Sequence, residues 1–175
     1  MIRKLLHTLG DMITSAHPHL EKGAVRLSLE RFLSNLLRSD RPDWDDVWMD
    51  FAYSIARRSY DPRHQVGAVV VTGDNTQVLA IGYNGNYSGG PNEVESDVPG
   101  ESGMIHAEIN ALLKMDYNTP KTKKLYVTLS PCKMCAKSII NAGVDEVIYD
   151  TEYRDTSGLE ILKSSHIKVR AFGGK

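Results

Sequence analysis

The sequence has only two cysteines, almost no net charge and no long run of apolar residues. Two cysteines cannot form the disulfide framework of small secreted domains. A formal net charge of -1 provides no overall basic field for a long polyphosphate, so we do not expect a nucleic-acid partner. The N-terminal residues begin with basic side chains, but polar residues and a proline interrupt them before any long apolar run. We therefore expect neither an export signal nor a membrane span, and we expect a cytoplasmic protein.

The length of 175 residues suits one compact domain with an additional segment. Residues 24–38 place valine, leucine and phenylalanine at helical spacing, and the polar stretch at 39–43 interrupts that pattern. We predict an N-terminal helical appendage over 1–42 and a main domain over 43–175. The amphipathic helix of the appendage suits either a subunit contact or plain packing, and packing is the more common use.

The main domain reads as a helix, a β-hairpin and then alternating helices and strands. Hairpin strands pair antiparallel, whereas strands joined by crossover helices favour parallel pairing. The pattern predicts an α/β fold, a three-layer α/β/α sandwich with a five-stranded mixed sheet. The predicted elements are a helix from about Asp43 to 60–62, strands VGAVVV and QVLAIGY, a loop at 84–103, a helix from about His106 to Met115, the strand KKLYVTLS, a helix from Cys132 to Ala142, the strand VDEVIYD, a helix around 159–163 and the strand HIKVRAF.

The two cysteines, Cys132 and Cys135, lie one helical turn apart directly after Pro131. Proline is tolerated in the first turn of a helix, so a helix begins here and both sulfurs project to one side. The partial positive charge of the helix N-terminus stabilises thiolates, which are the form that binds zinc. His106, at the start of another predicted helix, is the candidate third ligand. Three protein ligands and one open position are typical of a catalytic zinc site.

Glu108 follows His106 by two residues. A single histidine or glutamate is more often packed or solvated than functional, and a lone Cys-x-x-Cys pair also occurs in redox proteins, although no thioredoxin-like strand precedes this one. The combined H-x-E…P-C-x-x-C pattern is the signature of zinc-dependent nucleobase deaminases. It predicts that His106, Cys132 and Cys135 bind Zn²⁺ and that Glu108 is the catalytic proton carrier.

Five stretches between about Trp44 and Phe172 together resemble the deoxycytidylate (dCMP) deaminases of the cytidine deaminase fold superfamily. They are VGAVVV, IGYNG, HAEINAL, YVTLSPCKMCAKSIINAG and VIY, of which the GYNG element at 82–85 points most directly to this family. The resemblance implies a cytidine deaminase-like fold and hydrolysis of dCMP to dUMP and ammonia, which supplies dUMP for dTMP synthesis. It also implies a homohexamer that dCTP activates and dTTP inhibits, with Mg²⁺ as a candidate companion of these effectors.

A monophosphate substrate requires cations, preferably arginine, whose planar guanidinium fits phosphate oxygens. By the same resemblance, Arg63 and the pair Tyr153-Arg154 match substrate-contacting positions of the family. Each arginine taken alone is more commonly an ordinary surface side chain. We predict that all three residues bind the substrate.

The resemblance also assigns substrate binding to Asn84 and Ala107, and effector binding to Gly82, Asn84 and Gly85. Asn84 equally suits a turn that needs left-handed backbone geometry, and the two glycines equally suit close backbone approach. Some relatives bind a second zinc through extra cysteines near the long loop. This loop has none, so we expect one Zn²⁺ per chain.

Two other functions remain open. One is a nucleic-acid deaminase acting, for instance, on a tRNA adenosine, which would need a basic surface and room for a flipped base. The other is a non-catalytic nucleotide sensor that keeps the fold and the zinc. Retention of Glu108 argues against the sensor, because a purely structural zinc has no use for a carboxylate at that position.

Overall fold

The computed structural model describes residues 41–96, 98 and 102–174. The predicted appendage over 1–42, with its helix at 24–38, lies almost entirely outside this range and stays a prediction. Within the described part of the chain, no helix combines the length and the apolarity needed to cross a membrane.

The described residues form helices and strands in the predicted order, and the labels below follow the chain. The helices are α1 (Trp44–Ala56), α2 (Ala107–Leu112), α3 (Lys133–Asn141) and α4 (Ser157–Ser164). The strands are β1 (Gly67–Thr72), β2 (Val78–Tyr83), β3 (Lys123–Leu129), β4 (Glu146–Thr151) and β5 (Lys168–Ala171).

The five strands form one sheet in the order β2-β1-β3-β4-β5. β1 pairs antiparallel with both β2 and β3, whereas β3–β4 and β4–β5 pair in parallel. The mixed sheet that the hairpin and the crossovers predicted is therefore confirmed. β1 is an interior strand and is buried along its whole length, which explains why its sequence is a continuous run of alanine and valine rather than an alternating pattern.

Helices cover both faces of the sheet and complete the three-layer sandwich. On one face, Met49 and Ala52 of α1 pack on Val69 and Tyr126. On the other face, α2, α3 and α4 share a larger core, to which they contribute Ala111, Ile139, Leu162 and their neighbours. Truncation of a fully buried residue such as Ile139 to alanine would cost about 2–5 kcal/mol of unfolding free energy.

Two glycines allow helices to lie directly on the hairpin. A Cβ atom on Gly67 would lie 2.0 Å from the Ala52 carbonyl oxygen of α1, and one on Gly82 would lie 2.1 Å from the Ala107 carbonyl oxygen of α2. Since no side chain fits in either gap, both positions require glycine for close packing. Gly82 thus determines how closely α2 approaches the sheet.

Two helices end earlier than the apolar pattern suggests. α1 stops at Ala56 and α2 stops at Leu112. In the turn that follows each helix, backbone amides donate to the carbonyl three residues earlier, as in a 3₁₀ helix. The amide of Ser59 donates to the Ala56 carbonyl at 2.9 Å, and that of Met115 donates to Leu112 at 3.1 Å. Apolar spacing of three or four residues does not distinguish such tightened turns from continued α-helix.

Candidate metal centre and active site

The metal-ligand candidates lie at the starts of two helices on the same face of the sheet. His106 is the N-cap residue of α2 and Cys132 is that of α3, and both have extended backbone geometry. Neither side chain caps its own helix, as serine or aspartate would at this position. Both side chains are therefore available to a common ligand.

The three predicted ligands converge on one point. His106 Nδ1 lies 3.5 Å from Cys132 Sγ and 3.4 Å from Cys135 Sγ, and all three donor atoms lie within 4.8 Å of one another. Tetrahedral zinc with ordinary bond lengths separates nitrogen from sulfur ligands by about 3.5 Å. Among the residues that the structure describes, this is the group of histidine, cysteine and acidic side chains that meets the geometry of a metal site.

The three donor atoms change one another's pKa values. The hydrogen bond from Cys135 and the neighbouring His106 lower the pKa of the Cys132 thiol to about 4. The hydrogen bond to Cys132 raises the pKa of His106 to about 9, although burial opposes this shift. The hydrogen bond to Cys132 and burial both raise the pKa of Cys135. A dication competes for the same lone pairs, so metal binding displaces these protons.

Glu108 lies in the first turn of α2 and is only 3% exposed. Burial raises the pKa of its carboxyl group, while its own backbone amide and the nearby His106 oppose the shift. His106 and the Cys135 thiol both lower the pKa of this carboxyl group, so it lies close to the ligand cluster. A buried carboxyl with a raised pKa next to a metal site can accept and return a proton near neutral pH.

The GYNG element holds α2 in place. Gly85 pairs with Ile105 through two backbone hydrogen bonds of 3.1 and 2.8 Å, immediately before His106. The Asn110 side chain of α2 donates to the Tyr83 carbonyl at 2.8 Å. Together with the close approach at Gly82, these contacts fix the start of α2 on the end of β2.

The Asn84 side chain links neighbouring loops and is 5% exposed. Its Oδ1 accepts a hydrogen bond from the Val66 amide at 2.8 Å, and its Nδ2 donates to the His64 carbonyl at 2.7 Å. Nδ2 also contacts the Met104 sulfur at 3.5 Å. These bonds give Asn84 a structural task in addition to any contact with a ligand.

Arg63 lies in a loop that a buried carboxylate organises. Asp61, which is fully buried, accepts hydrogen bonds from the amides of Arg63 at 2.8 Å and Glu95 at 2.8 Å. Burial raises the pKa of Asp61, but these backbone bonds and Arg63 outweigh it and hold the pKa below its usual value. The Arg63 guanidinium donates to the Glu95 carbonyl and remains partly exposed, so it lies beside the long loop.

The Tyr153-Arg154 pair is connected to the start of α3. The Tyr153 amide donates to the Ser130 hydroxyl at 2.8 Å, two residues before Cys132. The Arg154 guanidinium carbon lies 5.7 Å from the centre of the Tyr153 ring, within the range of a cation–π contact. Arg154 is exposed and therefore accessible to an anion.

Two other predicted site residues, Ala107 and Gly82, are buried. Ala107 is fully buried within the core, and Gly82, which packs against it, is buried as well.

The sequence did not point to Asp61, Ser130 or Glu95. The carboxylate of Glu95 faces His106. The Asp61-Pro-Arg spacing of a side-chain-bonded turn was a usable signal for Asp61. No local pattern marks Ser130 or Glu95, because their partners are distant in sequence.

Comparisons with known proteins agree with this geometry. Residues 42–151 match the family model described as the cytidine and deoxycytidylate deaminase zinc-binding region. The human deoxycytidylate deaminase is 36% identical over 131 residues, which cover 68% of this chain and 71% of the human protein. The deoxycytidylate deaminase of Mycobacterium phage D29 is 37% identical over 127 residues, covering 64% of this chain and 98% of the phage protein.

Solved structures point the same way. The dCMP deaminase of cyanophage S-TIM5, crystallised in complex with dCMP and dUMP, superposes with a TM-score of 0.65 at 34% identity. The match covers 75% of this chain and 98% of the cyanophage chain.

Proposed function

The chain belongs to the cytidine and deoxycytidylate deaminase family, and on that basis we propose that it hydrolyses dCMP to dUMP and ammonia. The observation that carries this proposal is the convergence of His106, Cys132 and Cys135 beside the buried Glu108. The donor set fits one zinc ion, because two thiolates and a neutral imidazole nearly balance its charge. The product dUMP would then feed the synthesis of dTMP.

His106, Cys132 and Cys135 would hold the zinc, which when bound acts as a Lewis acid that activates water for attack on C4 of the cytosine ring. Glu108 removes a proton from that water and delivers it to ring N3. It then transfers the second water proton, carried by the new C4 hydroxyl, to the amino group, and cleavage of the C4–N bond releases ammonia. Water supplies the oxygen of the uracil product, so the reaction is balanced without a redox partner.

We assign the 5′-phosphate to Arg63 and to the pair Tyr153-Arg154. Arg63 donates a hydrogen bond to Glu95, whose carboxylate lies near His106, and the Tyr153 amide donates to Ser130, two residues before Cys132. These connections to the segments that carry the ligands support the assignment. Arginine suits a phosphate better than lysine because it forms paired hydrogen bonds. Asn84 and Ala107 are proposed to contact the nucleoside, alongside the packing roles described above.

Regulation by dCTP and dTTP, with Mg²⁺ as their companion, remains a proposal that follows from the family. A nucleotide bound at Gly82, Asn84 and Gly85 would act on the element that holds α2, and hence on His106.

Leu113 and Tyr117 are 69% and 54% exposed, and both border a groove between α2 and α3. These two exposed side chains support self-association, which we propose reaches a hexamer in the cytoplasm.

The decisive assay follows loss of cytosine absorbance with purified zinc-loaded protein. We expect turnover of dCMP that increases with dCTP and decreases with dTTP, and much weaker turnover of deoxycytidine, which lacks the phosphate. A tRNA stem-loop carrying a target adenosine tests the alternative substrate. Deamination of the stem-loop without deamination of dCMP would reverse the assignment, and absence of activity on every substrate would favour the nucleotide sensor.

A further inference from the structure

The outer nitrogen of the candidate zinc ligand faces a carboxylate from the long loop. His106 presents Nδ1 to the two sulfurs, and its Nε2 lies 3.8 Å from Glu95 Oε2. When Nδ1 binds a metal, the proton of a neutral imidazole resides on Nε2. At 3.8 Å the carboxylate is at ion-pair distance from this nitrogen, and it attracts the Nε2 proton and favours one orientation of the ring.

The Glu95 carboxylate is itself held firmly. Its Oε1 accepts hydrogen bonds from the amides of Ser96 at 2.9 Å and Gly103 at 3.1 Å. Its Oε2 lies 2.9 Å from the Ser102 hydroxyl, whose single proton is also within 2.7 Å of the Met104 carbonyl oxygen. A side chain held by two amide hydrogen bonds and this hydroxyl contact loses little further entropy when it contacts histidine, so it can act as a preorganised support.

The Glu95 backbone is connected to the segment that carries Arg63. Its amide donates to Asp61 Oδ2 at 2.8 Å, and its carbonyl accepts a hydrogen bond from the Arg63 guanidinium. One residue therefore touches the segment assigned to the phosphate through its main chain and the metal ligand through its side chain.

We propose that Glu95 is a positioning residue that orients His106 for zinc binding and couples this orientation to the Arg63 segment. The inference rests on the zinc centre of the proposed function, but it does not depend on dCMP as the substrate. Removal of carboxylates that orient metal-bound histidines typically costs about 10- to 100-fold in metal affinity or activity.

The test compares Glu95→Ala, Glu95→Gln and the matched control Glu93→Ala. Glu93 lies in the same loop and is exposed. Zinc affinity is measured by competition with a chromophoric chelator, and the ligand field by the absorption spectrum of the cobalt-substituted full-length protein. Neither readout needs a substrate, so failure of the dCMP assignment leaves this test intact.

We expect zinc affinity to fall about 10- to 100-fold in Glu95→Ala, with a shifted cobalt spectrum. Glu95→Gln should recover part of the affinity, because its amide oxygen keeps a partial negative charge that faces Nε2. Glu93→Ala should match the wild type. Wild-type zinc affinity and cobalt spectrum in both Glu95 variants would overturn the proposal, and so would an equal loss in Glu93→Ala.

Coupling to the Arg63 segment has a separate readout. If the wild-type enzyme turns over dCMP, Glu95→Ala assayed at saturating zinc should lower kcat and raise KM together. A rise in KM alone, with normal zinc affinity, would make Glu95 a loop-packing residue and contradict the proposal.

Discussion

The two faces of the sheet each carry a cluster of titratable side chains, and the clusters differ in their charge balance. Beneath α1, Asp45 Oδ2 lies 2.6 Å from Arg170 Nη1, Arg170 Nε lies 2.8 Å from Glu146, and the Tyr126 hydroxyl donates to Asp45 at 2.7 Å. On the other face, Glu108 lies beside the cluster of one histidine and two cysteines. The first cluster contains a cationic side chain, Arg170, that pairs with its carboxylates. The second brings together the electron-pair donors of one histidine and two cysteines.

This difference separates a structural cluster from a functional one. Burial raises the pKa of Asp45, but hydrogen bonds from Arg170 and Tyr126 outweigh it and hold the pKa below its usual value. Opposite charges thus satisfy one another under α1. The donors of the α2–α3 cluster are satisfied only by shared protons or by a metal, which is the arrangement expected of a binding site.

The largest effect should come from removing a metal ligand. Cys135→Ala should lose the bound zinc and all measurable turnover, because two remaining ligands do not hold zinc. Elemental analysis and thermal unfolding with and without a chelator measure this, since only a zinc-loaded protein should be destabilised by the chelator. Met134→Ala is the control, because Met134 lies in the same turn and is 66% exposed. A Cys135→Ala protein with full zinc content would refute the assigned ligand set.

Glu108 tests whether the second cluster is catalytic as well as metal-binding. Glu108→Gln keeps the shape of the side chain but cannot shuttle a proton, so kcat for dCMP should fall about 10²- to 10⁴-fold. Zinc content should equal that of the wild type, because Glu108 is not assigned as a ligand. Steady-state kinetics and metal analysis of the same preparation decide the matter. Undiminished kcat would remove Glu108 from the mechanism.

The smallest effect should come from the charge-paired cluster. Arg170→Ala should lower the unfolding free energy by about 1–2 kcal/mol, a value reduced for solvent screening because the arginine is partly exposed. Zinc content and kcat should not change. Urea unfolding measures the stability difference.

The ion pair between Asp45 and Arg170 makes the stability of the protein depend on pH. The pKa of Asp45 is below its usual 3.8 in the folded protein, so the stabilisation that the ion pair provides is fully present above pH 3.8. The contribution disappears as the pH falls through the lowered value, because the unfolded state then binds the proton first. The stability difference between wild type and Arg170→Ala should therefore narrow in acid. A difference that widens below pH 3.8 would contradict this assignment.

Much of the architecture follows from local patterns. The alternation of apolar runs predicted the five strands and the helices between them, and the hairpin signal predicted their mixed pairing. Helix ends were less predictable, since α2 stops at Leu112 where the backbone tightens without a proline or glycine signal. The ligand set was predictable because zinc chemistry restricts which residue types serve and the helix period restricts their spacing.

The sequence by itself determined the elements and the types of donor, and it singled out Glu108 as the proposed proton carrier, because these depend on side-chain chemistry and on short-range geometry. Only the tertiary structure decided that Glu95 faces His106, that Asp61 joins two loops, and that the GYNG element supports α2. These contacts join residues far apart in the chain, and their formation depends on sheet order and packing, which no local pattern encodes.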